Sequence, residues 1–138
     1  MRFMIIRRAD EETEAGAMPS QELAESMMAY NEELVRAGVM LDGHGLHPTS
    51  NATRVSFRDG APTVTDGPFA EAKELIAGFT LIDVKGRDEA LEWVRRWPEP
   101  NVDLELRQVY TIDELGDGFT DELKAKDRAM RDEIGAKL

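Results

Sequence analysis

No cysteine occurs among the 138 residues, which removes disulfides, thiolate metal ligands and cysteine nucleophiles together. Histidine is nearly as scarce, with only His44 and His47 available for near-neutral proton transfer. Bases are short as well: 17 Lys and Arg stand against 28 Asp and Glu, a formal net charge of −11. That balance argues against a phosphate backbone as partner, because such binding needs clustered Lys and Arg. No apolar run approaches the ~20 residues of a membrane span, and the run Phe3–Ile6 is far shorter than a secretory h-region. A cytoplasmic protein without membrane or nucleic-acid contacts is therefore expected. Two catalytic patterns are missing too. Gly43 and Gly45 lack the later glycine and following helix of a dinucleotide loop, and no serine sits in a nucleophile elbow.

What remains suits one small globular core, since 41% of the residues are hydrophobic and the length fits a single domain. The acidic excess is local. Residues 9–37 hold eight acids and one base, whereas residues 38–112 hold twelve acids and eight bases. The first segment reads as a solvated loop and helix face, or as an acidic docking surface.

Phe3 to Arg7 reads as a strand and Asp10 to Met18 as a loop. Ser20 can cap a helix in which Leu23, Met27, Tyr30 and Leu34 share one face and Gly38 takes the left-handed end. Val39 to Leu46 reads as a glycine-loosened strand stopped by Pro48. Alternation in Arg54–Phe57, the Asp59-Gly60 turn signal and Thr63–Thr65 predict a hairpin. Leu75 to Val84 is almost continuously apolar, as a strand covered on both faces would be. A second helix from Arg87 to Trp97 points Ala90, Trp93, Val94 and Trp97 inward, and Val102, Leu104 and Leu106 mark a last core strand. Strand, helix, strand, hairpin, strand, helix, strand is the order of an α+β, ferredoxin-like split β-α-β protomer with an inserted hairpin. The second face of its sheet would be covered by another subunit in a homodimer, or by the hairpin or tail.

Residues 113–138 differ from the 1–112 domain. Thr120 starts a helix with Leu123, Met130, Ile134 and Leu138 as a thin apolar stripe, an appended helix for the body, a partner subunit or another protein.

Between hairpin and long strand stands Asp66-Gly67-Pro68-Phe69-Ala70-Glu71-Ala72-Lys73-Glu74. Asp66 can accept amides of its own turn, Gly67 lets the chain reverse, and Phe69 can anchor the turn in the core. Four ionisable groups in nine positions could equally line a polar pocket. This stretch resembles the signature of DGPF-domain proteins in the YCII-related family. The likeness extends to the AGV end of the first helix, the RDG hairpin, the IDV strand and the EALEW helix, and it thins after Tyr110. It implies a dimeric α+β barrel of ferredoxin-like protomers. For function it implies a small-ligand-binding or accessory role, in some members linked to extracytoplasmic-function sigma factors, hence a possible sigma-factor partner. The YCII branch proper has a suspected His–Asp acid–base pair on the first helix and after the second. Here the first helix has no His, and Trp97-Pro98-Glu99-Pro100 follows the second, so that pair does not carry over.

The candidate site residues are His44 and Asp66 for proton transfer, and Arg54, Lys73, Glu74 and Tyr30 for ligand binding. Tyr30 stands near the place of the family's His, though it and its Met neighbours also fit plain core packing. Arg54, Arg58 and Lys73 could hold an anion, or pair across strands with Asp59, Asp66 or Glu71. His44 and His47, three apart on an extended segment, point oppositely and do not form a metal site by themselves. No cofactor is expected. Two functions remain: a non-enzymatic accessory domain with a ligand cleft between its sheet and the Asp66 motif, or a cofactor-independent enzyme acting on a small organic acid or phenol. The enzyme requires at least two of these groups to converge on one cavity.

Overall fold

Phe3, Ile5 and Ile82 project from neighbouring strands toward two helices, and there the chain concentrates its apolar burial. The computed structural model describes residues 1–71 and 74–135. Its elements run β1 (Arg2–Arg8), α1 (Glu11–Glu14), α2 (Gln21–Arg36), β2 (Met40–Gly45), β3 (Thr53–Arg58), β4 (Ala61–Asp66), β5 (Ile76–Asp83), α3 (Arg87–Arg95), β6 (Leu104–Gln108) and α4 (Asp121–Gly135). Four strands pair antiparallel in the order β2-β5-β1-β6, while β3 and β4 form a separate two-stranded sheet. This mixed α+β arrangement has the strand order of the split β-α-β pattern.

The helices form for local reasons and stay for tertiary ones. Ser20 Oγ accepts the Leu23 amide at 3.1 Å, Glu22 lies in the first turn of α2, and Gly38 closes the end with φ of +72°. Inward, α2 buries Tyr30 and Leu34 and α3 buries Ala90 and Trp93. Tyr30 packs edge-on to Trp93 and Trp97, with centroids 6.3 and 5.5 Å away. Ile5, Leu34 and Ile82 are wholly buried, each worth about 1.5–3 kcal/mol relative to exposure. In the hairpin, Asp59 and Gly60 take φ of +56° and +87°, both left-handed as a type I′ turn requires. Every residue of β3 and β4 is exposed.

One expectation needs correction. The stretch Asp10–Met18 is not all loop. Asp10 Oδ1 accepts the Thr13 amide at 2.8 Å while Thr13 Oγ1 accepts the Asp10 amide at 2.9 Å, a reciprocal cap that starts α1. Within the single chain β5 is buried on one face only, as a sheet with both helices on one side leaves it. Gly78, Thr80 and Ile82 are buried toward the helices, whereas Ala77, Phe79 and Leu81 on the opposite face are half-buried.

The chain divides into two compact units, Met1–Gln108 and Val109–Leu138. In the second, Thr120 Oγ1 accepts the Leu123 amide at 3.3 Å, and Arg131 bonds Asp127 at 2.9 Å one turn back. Leu123, Met130 and Ile134 are exposed; Leu138, expected in the same stripe, lies outside the described residues. Among the described residues no helix is long and apolar enough to cross a membrane.

Candidate functional site

Where β2 and β5 meet, the helix-facing side of the sheet is almost bare of side chains. Gly43 pairs with Thr80 and Gly45 with Gly78, and Gly78 pairs with Arg7 on its other side. A Cβ at Gly45 would meet nothing within 4 Å, whereas one at Gly78 would come 2.9 Å from the His44 carbonyl oxygen. Glycine at 78 thus lets two strands approach, and glycine at 45 leaves space. These residues floor a solvent-open cleft of about 590 Å³, walled by α2 through Leu23, Met27 and Asn31 and by the 17–20 connection.

Arg7, Trp97 and Glu99 close one side. The Arg7 guanidinium donates Nε and Nη2 to the two Glu99 carboxylate oxygens at 3.1 and 2.8 Å, and Nη1 to Asp10 at 3.1 Å. Only 11% of its side chain is exposed. The Glu99 bond, against the opposing effect of burial, holds the Arg7 pKa above its usual value. Asp10 is held below the ordinary carboxylate value, first by the Thr13 amide and then by Arg7. The Arg7 guanidinium is therefore already engaged by two carboxylates, which leave this wall one negative charge in excess. Thr80 differs: it is only 6% exposed, and its hydroxyl has no hydrogen-bond partner among the described residues. No fully enclosed side-chain N or O in the described chain lacks a partner, so the Thr80 oxygen must touch the cleft. Asn31, half-buried, likewise has no side-chain bond.

The residues singled out from sequence do not gather here. His44 borders the cleft, but on β2 it alternates with Gly43 and Gly45, so its ring lies on the opposite face. There it packs edge-on to Phe79 at 5.9 Å and places Nε2 2.9 Å from Asp42 Oδ1. Asp66 is exposed, and its Oδ1 accepts the Thr53 hydroxyl at 3.1 Å rather than amides of its own turn. The convergence on one cavity that the enzyme alternative requires is thus not observed for His44 and Asp66. Arg54 lies over the Phe69 ring, 3.7 Å from its centroid, and Phe69 is half-buried rather than part of the core. Glu74 is exposed beside the turn. Tyr30 must be corrected outright: its hydroxyl, in a residue 4% exposed, donates to the Trp93 carbonyl at 2.7 Å. Burial raises its pKa to about 12, so it is a core residue and not a ligand contact. Lys73 lies outside the described residues.

The cleft residues missed from sequence left faint signals. Thr80 is the only hydroxyl inside an apolar strand, Asp10 and Thr13 have capping-box spacing, and Glu99 sits between two prolines after α3.

Residues 1–113 match the model of the YCII-related domain, and the chain belongs to that family. Among curated relatives it is 41% identical over 69 residues to an uncharacterized protein of Rhizobium meliloti (strain 1021), covering 50% of this chain and 56% of the relative. The chain thus spans little more than half of that relative. Among solved structures, 5-chloro-2-hydroxyhydroquinone dehydrochlorinase from Burkholderia phenoliruptrix AC1100, in complex with 2,5-dihydroxybenzoquinone, aligns with a TM-score of 0.46 and 14% identity. That alignment covers 83% of this chain and 98% of that one. A likeness of that degree transfers no chemistry.

Proposed function

We propose that the protein binds a small, uncharged, largely flat ligand in the glycine-floored cleft, as a small-ligand-binding member of its family. The observation that carries this is Thr80, a buried residue that lines the cleft beside Gly43, Gly45 and Gly78 and whose hydroxyl has no hydrogen-bond partner among the described residues. Met27, Met40 and Trp97 offer adaptable apolar contacts, while Thr80 and Asn31 supply hydrogen-bonding groups that have no partner among the described residues. Arg7 is fully engaged by Glu99 and Asp10, so an anionic ligand would have to break an existing pair.

The active form in this reading is a two-fold dimer. Met4, Phe79 and Leu81 leave the outer sheet face half-buried in the single chain, an apolar area suited to the same face of a second copy. Sedimentation as a monomer at micromolar concentration would count against it. A cofactor-independent enzyme is the second reading, favoured by one feature, the Glu99 carboxylate held against the cleft by Arg7. Neither the fold nor the relatives bear on the sigma-factor partner that the resemblance implied.

The test uses protein with ¹³C-labelled methionine methyls, titrated with catechol, benzoate and benzylamine. Catechol is expected to shift Met27 and Met40 saturably, benzoate much less, and Gly45→Leu, which fills the floor, is expected to abolish the shift. No saturable change with any of the three, or one that survives Gly45→Leu, overturns the assignment.

A further inference from the structure

The Asp66–Phe69 turn does not reach the cleft, yet it is joined to the cleft wall through a single residue, Thr49. A Cβ built on Gly67 would lie 1.7 Å from the Thr49 carbonyl oxygen, so the turn rests directly on the 3₁₀ segment Thr49–Asn51. Two bonds secure it there: the Gly67 amide donates to the Ala52 carbonyl at 2.8 Å and the Phe69 amide to Thr49 Oγ1 at 3.0 Å. The same hydroxyl donates to Glu14 Oε2 at 2.5 Å, and the Thr49 amide donates to Glu14 Oε1 at 3.1 Å. Glu14 ends α1, whose cap Asp10 bonds Arg7, and Glu12 and Thr13 of α1 line the cleft.

We propose that Thr49 is a positioning residue through which the Asp66–Phe69 turn fixes the α1 wall of the cleft. Resting on the ligand-site reading above, this gives the motif a role in shaping that site without touching what binds there. The chemistry requires a side chain that accepts from one neighbour and donates to another. A hydroxyl does both, and at 9% exposure the two bonds compete little with water. One helical turn of four residues has almost no stability of its own. Its geometry must therefore be imposed from outside, and Glu14 is where α1 meets Thr49.

Hydrogen exchange tests this without any ligand. The informative amides are Glu14, Ala15 and Ala17, which donate to the Asp10, Glu11 and Glu12 carbonyls at 3.0 Å each. In Thr49→Val, which keeps the shape and removes the hydroxyl, they are expected to exchange at least about tenfold faster, given the two lost bonds. Amides of β1 and β5 should change far less, and Thr49→Ser should restore protection. Because Thr49 is buried, Glu14→Ala serves as a second variant; it must loosen the same amides and stands alone if Thr49→Val does not fold. Unchanged α1 exchange, equal acceleration in β1 and β5, or no rescue by serine overturns the proposal. Catechol titration of the same variants separates the two claims. Loosened α1 with weaker catechol binding supports both, whereas loosened α1 in a protein whose wild type ignores catechol supports the positioning role and refutes the ligand site.

Discussion

Replacing Gly67 by alanine probes the tightest contact of the motif. The new methyl would lie 1.7 Å from the Thr49 oxygen and 2.7 Å from the Thr49 carbonyl carbon. Both are backbone atoms, so no rotamer change relieves the overlap, and the turn must lift. Lifting it endangers the Gly67 bond to Ala52 and the Phe69 bond to Thr49, each worth about 1 kcal/mol net. The overpacking adds roughly 1–3 kcal/mol, for a total near 3–5 kcal/mol. Against a typical domain stability of about 5–15 kcal/mol, that is a large share. Urea unfolding followed by fluorescence reports it directly, since Trp93 belongs to the core and Trp97 packs against it. The midpoint should fall with little change in slope. Gly45→Ala is the control, because its methyl meets nothing within 4 Å and should stay within about 0.5 kcal/mol of wild type. If Gly67→Ala unfolds as late as Gly45→Ala, the turn yields at no cost and the close approach is not structural.

At high pH, Tyr30 should govern the loss of stability. Its folded pKa is raised to about 12 from 10.0, so its contribution is complete below about pH 10 and drains away as pH climbs through 12, by a few kcal/mol in all. Tyr30→Phe should cost about 1 kcal/mol at neutral pH and flatten that alkaline slope in urea midpoints; an equally steep slope in the variant would refute it. On the acid side the sign reverses. Asp10 is held below its ordinary value, so its contribution is present above the unfolded carboxylate pKa and lost as pH falls through the folded one. Asp10→Asn should therefore make the midpoint less sensitive to pH in that window, and an unchanged acid limb would show that neither the Thr13 amide nor Arg7 stabilises the Asp10 carboxylate.

Much of the fold was legible because its signals were local or periodic. Ser20 and Gly38 bracket α2, Asp59-Gly60 sets the hairpin, and spacings of three and four residues put Tyr30 and Leu34 on the buried face. Tertiary context decides the rest. An apolar strand shows that both faces are attractive to bury, and within the single chain β5 buries the helix-facing one by alternation. The short α1 was lost because acids dominate its composition, while the two bonds that make it depend on the exact offset of Asp10 and Thr13.

The site was less legible, for a related reason. Ionisable residues crowd in sequence around the motif, but those described there, Asp66, Glu71 and Glu74, are exposed, with Asp66 turned to Thr53 and Arg54 of β3 lying over Phe69. Function-bearing geometry arises instead where residues far apart in sequence leave something unfinished. Arg7 and Glu99, 92 positions apart, complete each other, whereas the Thr80 hydroxyl has no partner among the described residues. The acidic segment 9–37 changes meaning accordingly. Two of its acids are structural connectors, Asp10 to Arg7 and Glu14 to Thr49, and a third, Glu33, pairs with Arg96. Its charge serves first to place the cleft wall against the body, and only the remaining acids are free to keep the surface solvated. An acid-to-amide change at Glu14 should therefore disturb the cleft, while the same change at Glu25, which meets only Gln21 on the exposed face of α2, should not.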